Sequence, residues 1–400
     1  MNNKFGMFIH WGIYSQLGLH EQCLARYFMD RKEYDSLVKT FNPVNYDPEE
    51  WVLLAKKSGM KYICFTTKHH DGFCMWDTKY TDYNIMHTPY GKDALKMLAD
   101  ACEKHGMLLS LYYSNPDWHH EYGYNSKSSH QWRAINRNKE NTNFEEYKSF
   151  IKNQITELLT NYGKIYTLFW DIPPQLNDPS INNLVRELQP EILINDRGFD
   201  EGDFSTPERE HESGNGMRYT RMTEACNSLG SDSWAYRKND SYYSLRYLLS
   251  EICAVMAKGG SYLLNVGPMA DGKIPEIQVE KLKKIGDWFN RTEGVLEGHT
   301  PDETDYGIKY NTCIPTKKNG KTYLNFYNGM NNNAVLFKNV SVLPKSVRIL
   351  NTGNSLPFEC DYFPTFYYDD PEDITHKYLR IYDIPVDDLP AEPIIIEIDW

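Results

Sequence analysis

Two hydrophobic periods alternate along most of this chain. KFGMFIHW (4–11), KYICFTT (61–67), MLLSLYYS (107–114), IYTLFWD (165–171), EILIND (191–196) and SYLLNVGP (261–268) are short, nearly continuous apolar runs. That is the pattern of strands buried on both faces of a parallel sheet. Between them the apolar positions recur at helical spacing. Leu95, Leu98, Ala99 and Cys102 form one face, and Tyr147, Ile151, Ile155, Leu158 and Tyr162 another. Asp47-Pro48-Glu49-Glu50 reads as a helix start, with a capping aspartate, proline at the first helical position and glutamate three residues after the cap. Gly59, Gly106 and Gly163 stand where three of these helices should stop. Further helices are predicted over 181–190, 244–260 and 275–289.

Repeated strand–helix alternation gives a parallel sheet covered by helices. No glycine-rich dinucleotide fingerprint follows any of the strands, which favours a barrel over an open sheet. The expected fold is α/β, a TIM-like (β/α) barrel of irregular form, followed by a small β-sandwich. The stretch 197–244 is polar and glycine-rich, with a weak strand signal near RMTEACNS. A long irregular region in a compact domain marks function. After residue 300 the runs become TYLNFYNG, AVLFKNVSV, SVRILNTG, KYLRIYDI and PIIIEIDW, short strands separated by turn residues. These predict an all-β sandwich, so the barrel is assigned to 1–298 and the sandwich to 299–400.

Composition narrows the function. The net charge of -12 argues against a nucleic-acid or anionic-membrane partner. Thirty Tyr, seventeen Phe and nine Trp make the chain aromatic-rich, as sugar-binding proteins often are. The eight cysteines form no CxxC pair and read as reduced thiols. The start MNNKFGMFIHWG carries no signal-peptide pattern and no run is long enough to span a membrane. A cytoplasmic protein is expected.

Polar residues gather at the predicted strand ends. His10 ends the first strand, His69 and His70 the second, Tyr112 and Tyr113 the third, Asp171 the fourth, and Asn195, Asp196 and Arg197 the fifth. In a parallel barrel these ends share one face, where loops converge on a pocket. His69-His70 lacks the spacing of a zinc motif, so no metal is expected. His10 beside Trp11 reads equally as a packing histidine.

KFGMFIHWGIYS, KYICFTTKHHDGF, LYYSNPDW, LFWD, ILINDRG, GDFSTPE, SDSWAY and GGSYLLNVGPMADGKIPE occur in this order. Together they resemble the α-L-fucosidases of glycoside hydrolase family 29, over residues 4 to about 298. The resemblance implies retaining exo-hydrolysis of a fucosylated glycan, with no cofactor. It implies Asp171 as nucleophile. It leaves the acid/base between Glu208 in DFSTPE and Glu224 in RMTEACNS, with Glu208 favoured. His10, His69, His70, Tyr113 and Arg197 match the positions that line the fucose pocket, and Phe169, Trp170, Trp118 and Phe73 offer apolar walls for the sugar's methyl group. Retention needs two carboxylates with opposed protonation, one ionised and one able to give and take a proton.

The segment Phe169-Trp170-Asp171-Ile172-Pro173 departs from the Trp-Phe-Asp-Gly of many relatives, and Glu21-Gln22-Cys23 from their Glu-Trp-Tyr. The first departure keeps an alternative open, a catalytically weak or inactive fucose-binding barrel. Nothing in the sequence decides between a monomer and a homo-oligomer.

Overall fold

The computed structural model describes residues 3–123, 143–174, 178–209, 218–294, 296–308, 311–338, 340, 342–361 and 377–400. Seven parallel strands build the first sheet: β1 (Phe5–Ile9), β2 (Tyr62–Lys68), β3 (Leu108–Ser114), β4 (Ile165–Asp171), β5 (Leu193–Ile194), β6 (Glu224–Ser228) and β7 (Ser261–Val266). Their order is β5-β4-β3-β2-β1-β7-β6, a curled TIM-like sheet. Residues 204–208 run between its two edges: Phe204 bridges Asn195, Ser205 bridges Thr223 and Glu208 bridges Cys226, each in the parallel sense.

Among the described residues, six helices of nine residues or more cover the sheet: α1 (Pro48–Lys57), α2 (Ala94–His105), α3 (Phe144–Asn161), α4 (Ser180–Leu188), α5 (Leu245–Ala257) and α6 (Glu276–Arg291). Asp47 caps α1 by accepting from the backbone N–H groups of Glu49 and Glu50. Gly106 ends α2 in the left-handed conformation, at φ 63°.

Strand alternation sorts the side chains. Phe8, Tyr62, Cys64, Tyr112, Phe169, Cys226 and Leu263 pack together inside the barrel. Met7, Ile63, Phe65, Tyr113, Leu168 and Trp170 pack into the layer beneath the helices. The β3–β4 register aligns Tyr112 with Phe169, Tyr113 with Trp170 and Ser114 with Asp171.

Two elements differ from expectation. The predicted fifth strand shrinks to Leu193–Ile194, because the Asn195 side chain replaces a backbone partner. Its amide donates to the carbonyl of Trp170 and its oxygen accepts the Trp170 N–H. The weak signal at RMTEACNS becomes β6, fully buried despite its polar residues.

Antiparallel strands follow: β8 (Thr300–Pro301), β9 (Ile314–Lys318), β10 (Lys321–Phe326), β11 (Val335–Phe337), β12 (Ser346–Ile349), β13 (Phe358–Asp361), β14 (Tyr378–Ile381) and β15 (Ile394–Asp399). They form sheets in the orders β12-β15-β10-β9-β8 and β11-β14-β13, around a core that includes Leu324, Phe337, Ile381 and Ile396. This sandwich is tied to the barrel's helical layer. The Trp288 indole N–H on α6 donates to the Pro393 carbonyl at 3.2 Å, and the Ser250 hydroxyl on α5 to the Tyr327 carbonyl at 2.5 Å. Among the described residues no helix is long and apolar enough to cross a membrane.

Candidate active site

The second strand sets the floor of the site. Its pairing with β3 slips between Thr66 and Lys68, and the chain then turns at Gly72, φ 84°. A side chain at Gly72 would meet Asp117 Oδ1 at 2.2 Å. This irregular exit brings two adjacent histidines to one side, with the rings of His69 and His70 4.1 Å apart. Lys68 and Asp117 form a buried ion pair at 2.9 Å beneath them. The Trp118 N–H then donates to the His70 carbonyl at 2.7 Å, and its ring lies 5.4 Å from that of His70.

Asp171, at the end of β4, is held from several directions. Oδ1 accepts from Arg197 Nη1 and from the N–H of Ile172, each at 2.9 Å. Oδ2 accepts from the Tyr112 hydroxyl at 2.7 Å, with His70 Nε2 at 3.6 Å. Burial opposes ionisation of this carboxyl. Arg197, His70 and Tyr112 outweigh it and hold the group below its usual range.

The same nitrogen, Arg197 Nη1, donates to Glu208 Oε2 at 3.1 Å. The sum of its two distances, about 6.0 Å, is the most that can separate Asp171 Oδ1 from Glu208 Oε2. Arg197 is itself fixed by Thr206, through Nε to the hydroxyl at 2.9 Å and Nη2 to the carbonyl at 2.6 Å. Asp171 is largely buried, whereas Glu208 is open to solvent on one side.

Hydrogen bonds fix one proton on each of two histidines. The Asn265 amide donates to the Ser228 hydroxyl and the Trp234 carbonyl, which turns its oxygen toward His10 Nδ1 at 2.7 Å. His10 therefore carries its proton on Nδ1 and leaves Nε2 as an acceptor. Burial pushes its pKa down to about 4. The Ser114 hydroxyl donates to the Pro116 carbonyl, so it accepts from His70 Nδ1 at 2.6 Å. Nε2 of His70 faces Asp171 Oδ2 at 3.6 Å, where burial opposes a proton on the ring and the carboxylate favours one. His69 is also held neutral, by burial first and by the neighbouring His70. Its Nδ1 is buried without a hydrogen-bond partner among the described residues.

Three residues at the site were given no role by the sequence. Tyr112 rather than Tyr113 bonds Asp171. Trp234, in the SDSWAY stretch, packs on His10 at 5.2 Å between ring centres. Glu21 is buried, with Oε2 accepting from the Ser233 hydroxyl and the Trp234 and Ala235 N–H groups. Burial works against its ionisation, but His20 and His10 prevail and its pKa is lowered. Strand parity was the signal available for Tyr112, since it shares a face with Phe169 and Asp171.

Four expectations are corrected. Tyr113 points to the helix layer, where its hydroxyl donates to Gln154 at 2.7 Å. Trp170 points the same way, packed on Phe199 with its indole N–H on Asn182. Both follow from alternation along a strand. Glu224 opens β6 and so lies at the far, N-terminal end of the barrel. There the Tyr62 hydroxyl donates to its Oε2 at 2.5 Å. Of the apolar walls, Phe73 packs among Phe41 and Tyr83 in the core. Phe169 and Trp118 stay at the site.

His69, His70 and Asp171 offer ligand atoms within 4.8 Å of one another. A cation there would compete with the Arg197 guanidinium and the Tyr112 hydroxyl for both Asp171 oxygens, so the donor set does not favour one. Cavities of about 640 Å³ on the sandwich and about 590 Å³ between α2 and the end of α3 contain none of these groups. The chemistry selects the barrel mouth.

Comparison with known proteins agrees with this geometry. The family described as Alpha-L-fucosidase matches residues 1–293. An α-L-fucosidase of Branchiostoma floridae is 26% identical over 359 residues, covering 80% of this chain and 76% of its own. The structure of α-L-fucosidase isoenzyme 1 from Paenibacillus thiaminolyticus superposes with a TM-score of 0.83 at 30% identity, covering 100% of this chain and 97% of that one. A Lactobacillus casei α-L-fucosidase in complex with α-L-fucose product gives 0.66 at 32% identity, over 73% and 97%. With the family pattern matched across the whole barrel, this chain belongs to the α-L-fucosidase family.

Proposed function

We propose that Asp171 is the nucleophile and Glu208 the acid/base of a retaining exo-α-L-fucosidase acting on a fucosylated glycan. The observation that carries this reading is the single Arg197 nitrogen shared by both carboxylates. It keeps Asp171 Oδ1 within about 6.0 Å of Glu208 Oε2, which is compatible with the carboxyl spacing of retaining enzymes at about 5–5.5 Å. In the first step an Asp171 oxygen attacks the anomeric carbon, the glycosidic C–O bond breaks, and the Glu208 proton passes to the leaving oxygen. In the second, Glu208 takes a proton from water, the hydroxide oxygen bonds the anomeric carbon, and Asp171 departs as carboxylate. Two inversions leave the configuration unchanged.

Each neighbour has a task in this scheme. The donors on Asp171 keep it ionised. Neutral His10 and His69 accept from sugar hydroxyls, and His70 faces the Asp171 carboxylate. Phe169, Trp118 and Trp234 give the fucose methyl an apolar wall. The inactive alternative loses support, because the altered residues after Asp171 leave its carboxylate fully bonded. The eight thiols are free, which suits a reducing compartment such as the cytoplasm. Proton NMR of the first product tests the scheme: α-L-fucose appears before mutarotation, whereas initial β-L-fucose contradicts it.

A further inference from the structure

Lys68 is a charged residue in an apolar layer. It closes β2 beside Tyr113, its register partner on β3, and like Tyr113 it points toward α3. Its ammonium lies 4.2 Å from the centre of the Tyr113 ring, and 5.3 and 5.8 Å from those of Phe150 and Tyr147 on α3. The side chain is fully buried. Among the described residues Asp117, whose side chain is 2% exposed, is the one carboxylate that pairs with it. Burial opposes both charges. Each ion outweighs it for the other, so the ammonium is held above its usual range and the carboxyl falls to about 2.

Replacing such a pair by uncharged groups of similar volume is often neutral for stability, because desolvation consumes most of the attraction. A buried pair can serve instead to fix a single geometry. Here it joins two chain segments. Lys68 ends β2 where its pairing with β3 slips, and Asp117 lies in the segment that follows β3. Asp117 Oδ1 accepts from the His119 and His120 N–H groups at 2.9 and 2.8 Å, which ties the carboxylate to its own segment. Each ion stands one residue before a side chain placed at the sugar, Lys68 before His69 and Asp117 before Trp118. The Trp118 N–H, on the His70 carbonyl at 2.7 Å, links the same two segments.

We infer that the Lys68–Asp117 pair is a positioning device, which sets the exit of β2 against the segment after β3 and so holds His69 and Trp118 at the spacing that fucose needs. This rests on the fucosidase reading above. Both ions are sealed from solvent, so they act through their neighbours rather than on the sugar.

The test uses Lys68→Met, Asp117→Asn and the double variant, assayed with an aryl α-L-fucoside well below the lowest Tm of the set. The amide oxygen in Asp117→Asn still accepts the two N–H groups. Each single change leaves a buried ion without its partner and should lower Tm, and the double variant should be more stable than either. In the double variant kcat/KM should nevertheless stay about 10- to 100-fold below wild type, and the inhibition constant of L-fucose about tenfold above it, the cost of misplacing groups around a bound sugar. Wild-type fucose inhibition in the double variant overturns the proposal and makes the pair a stability element. So does a double variant no more stable than the single ones, since the ions then do not act as a pair. Wild-type protein that does not turn over the aryl fucoside overturns the fucosidase reading itself.

Discussion

Tyr112 donates its hydroxyl to Asp171 Oδ2 at 2.7 Å, while its neighbour Tyr113 donates to Gln154 on a helix outside the barrel. One residue of strand parity thus separates a group that touches Asp171, the proposed nucleophile, from one that anchors α3. Tyr112→Phe should lower kcat/KM about 10- to 100-fold, as expected for a lost hydrogen bond to a charged group worth about 1.5–3 kcal/mol. The same change removes a donor that favours the ionised form, so the acidic limb of the pH profile should move to higher pH. Tyr113→Phe should cost about 1 kcal/mol of stability with little effect on that limb. Kinetics and denaturation of the two variants check this, and the reverse pattern would refute the placement.

Glu208 bonds Arg197 beside Asp171, whereas Glu224 is buried at the start of β6 on the Tyr62 hydroxyl, so their substitutions should not resemble each other. Glu208→Ala should slow a glycan substrate by about 10²–10⁴-fold, the usual contribution of a general acid. It should slow an aryl fucoside with a good leaving group far less. Glu224→Gln should preserve kcat on both substrates. Steady-state kinetics on the pair of substrates distinguishes these outcomes.

Glu224 should instead appear in stability. Burial, only partly offset by the Tyr62 hydroxyl, raises its pKa from 4.5 to about 7. The folded protein then binds this proton more tightly than the unfolded chain does. The stabilisation is complete below the unfolded value and is lost as pH rises toward about 7. At about 1.4 kcal/mol per unit the loss is on the order of 3 kcal/mol. Glu224→Gln should flatten this part of the profile and exceed wild type at pH 8. Urea denaturation between pH 4.5 and 8 measures it, and parallel profiles would exclude the effect.

Much of this was legible in the sequence because burial on two faces and the helical period both leave long, unambiguous patterns. The strand ends carrying His10, His69, His70, Asp171 and Arg197 came directly from them. Tyr112 against Tyr113 was not, since a bulge at Lys68 and a short strand make parity ambiguous until the register is known. Glu224 was misplaced because a carboxylate near a motif does not reveal which end of a strand it occupies. β5 was overextended because Asn195 satisfies a neighbour's backbone with its side chain, which no apolar pattern records. Glu21 belongs to a segment without periodicity, and only the contact with Ser233 and Trp234 gives it a role.

The central claim is that Asp171 makes the covalent bond to fucose, and azide rescue tests it most directly. Asp171→Gly should hydrolyse an aryl α-L-fucoside at least about 10³-fold more slowly than wild type, as loss of a nucleophile requires. Added azide should then restore turnover and yield β-L-fucosyl azide, by a single inversion in the space the side chain leaves. Near-wild-type hydrolysis by Asp171→Gly without azide would contradict the assignment.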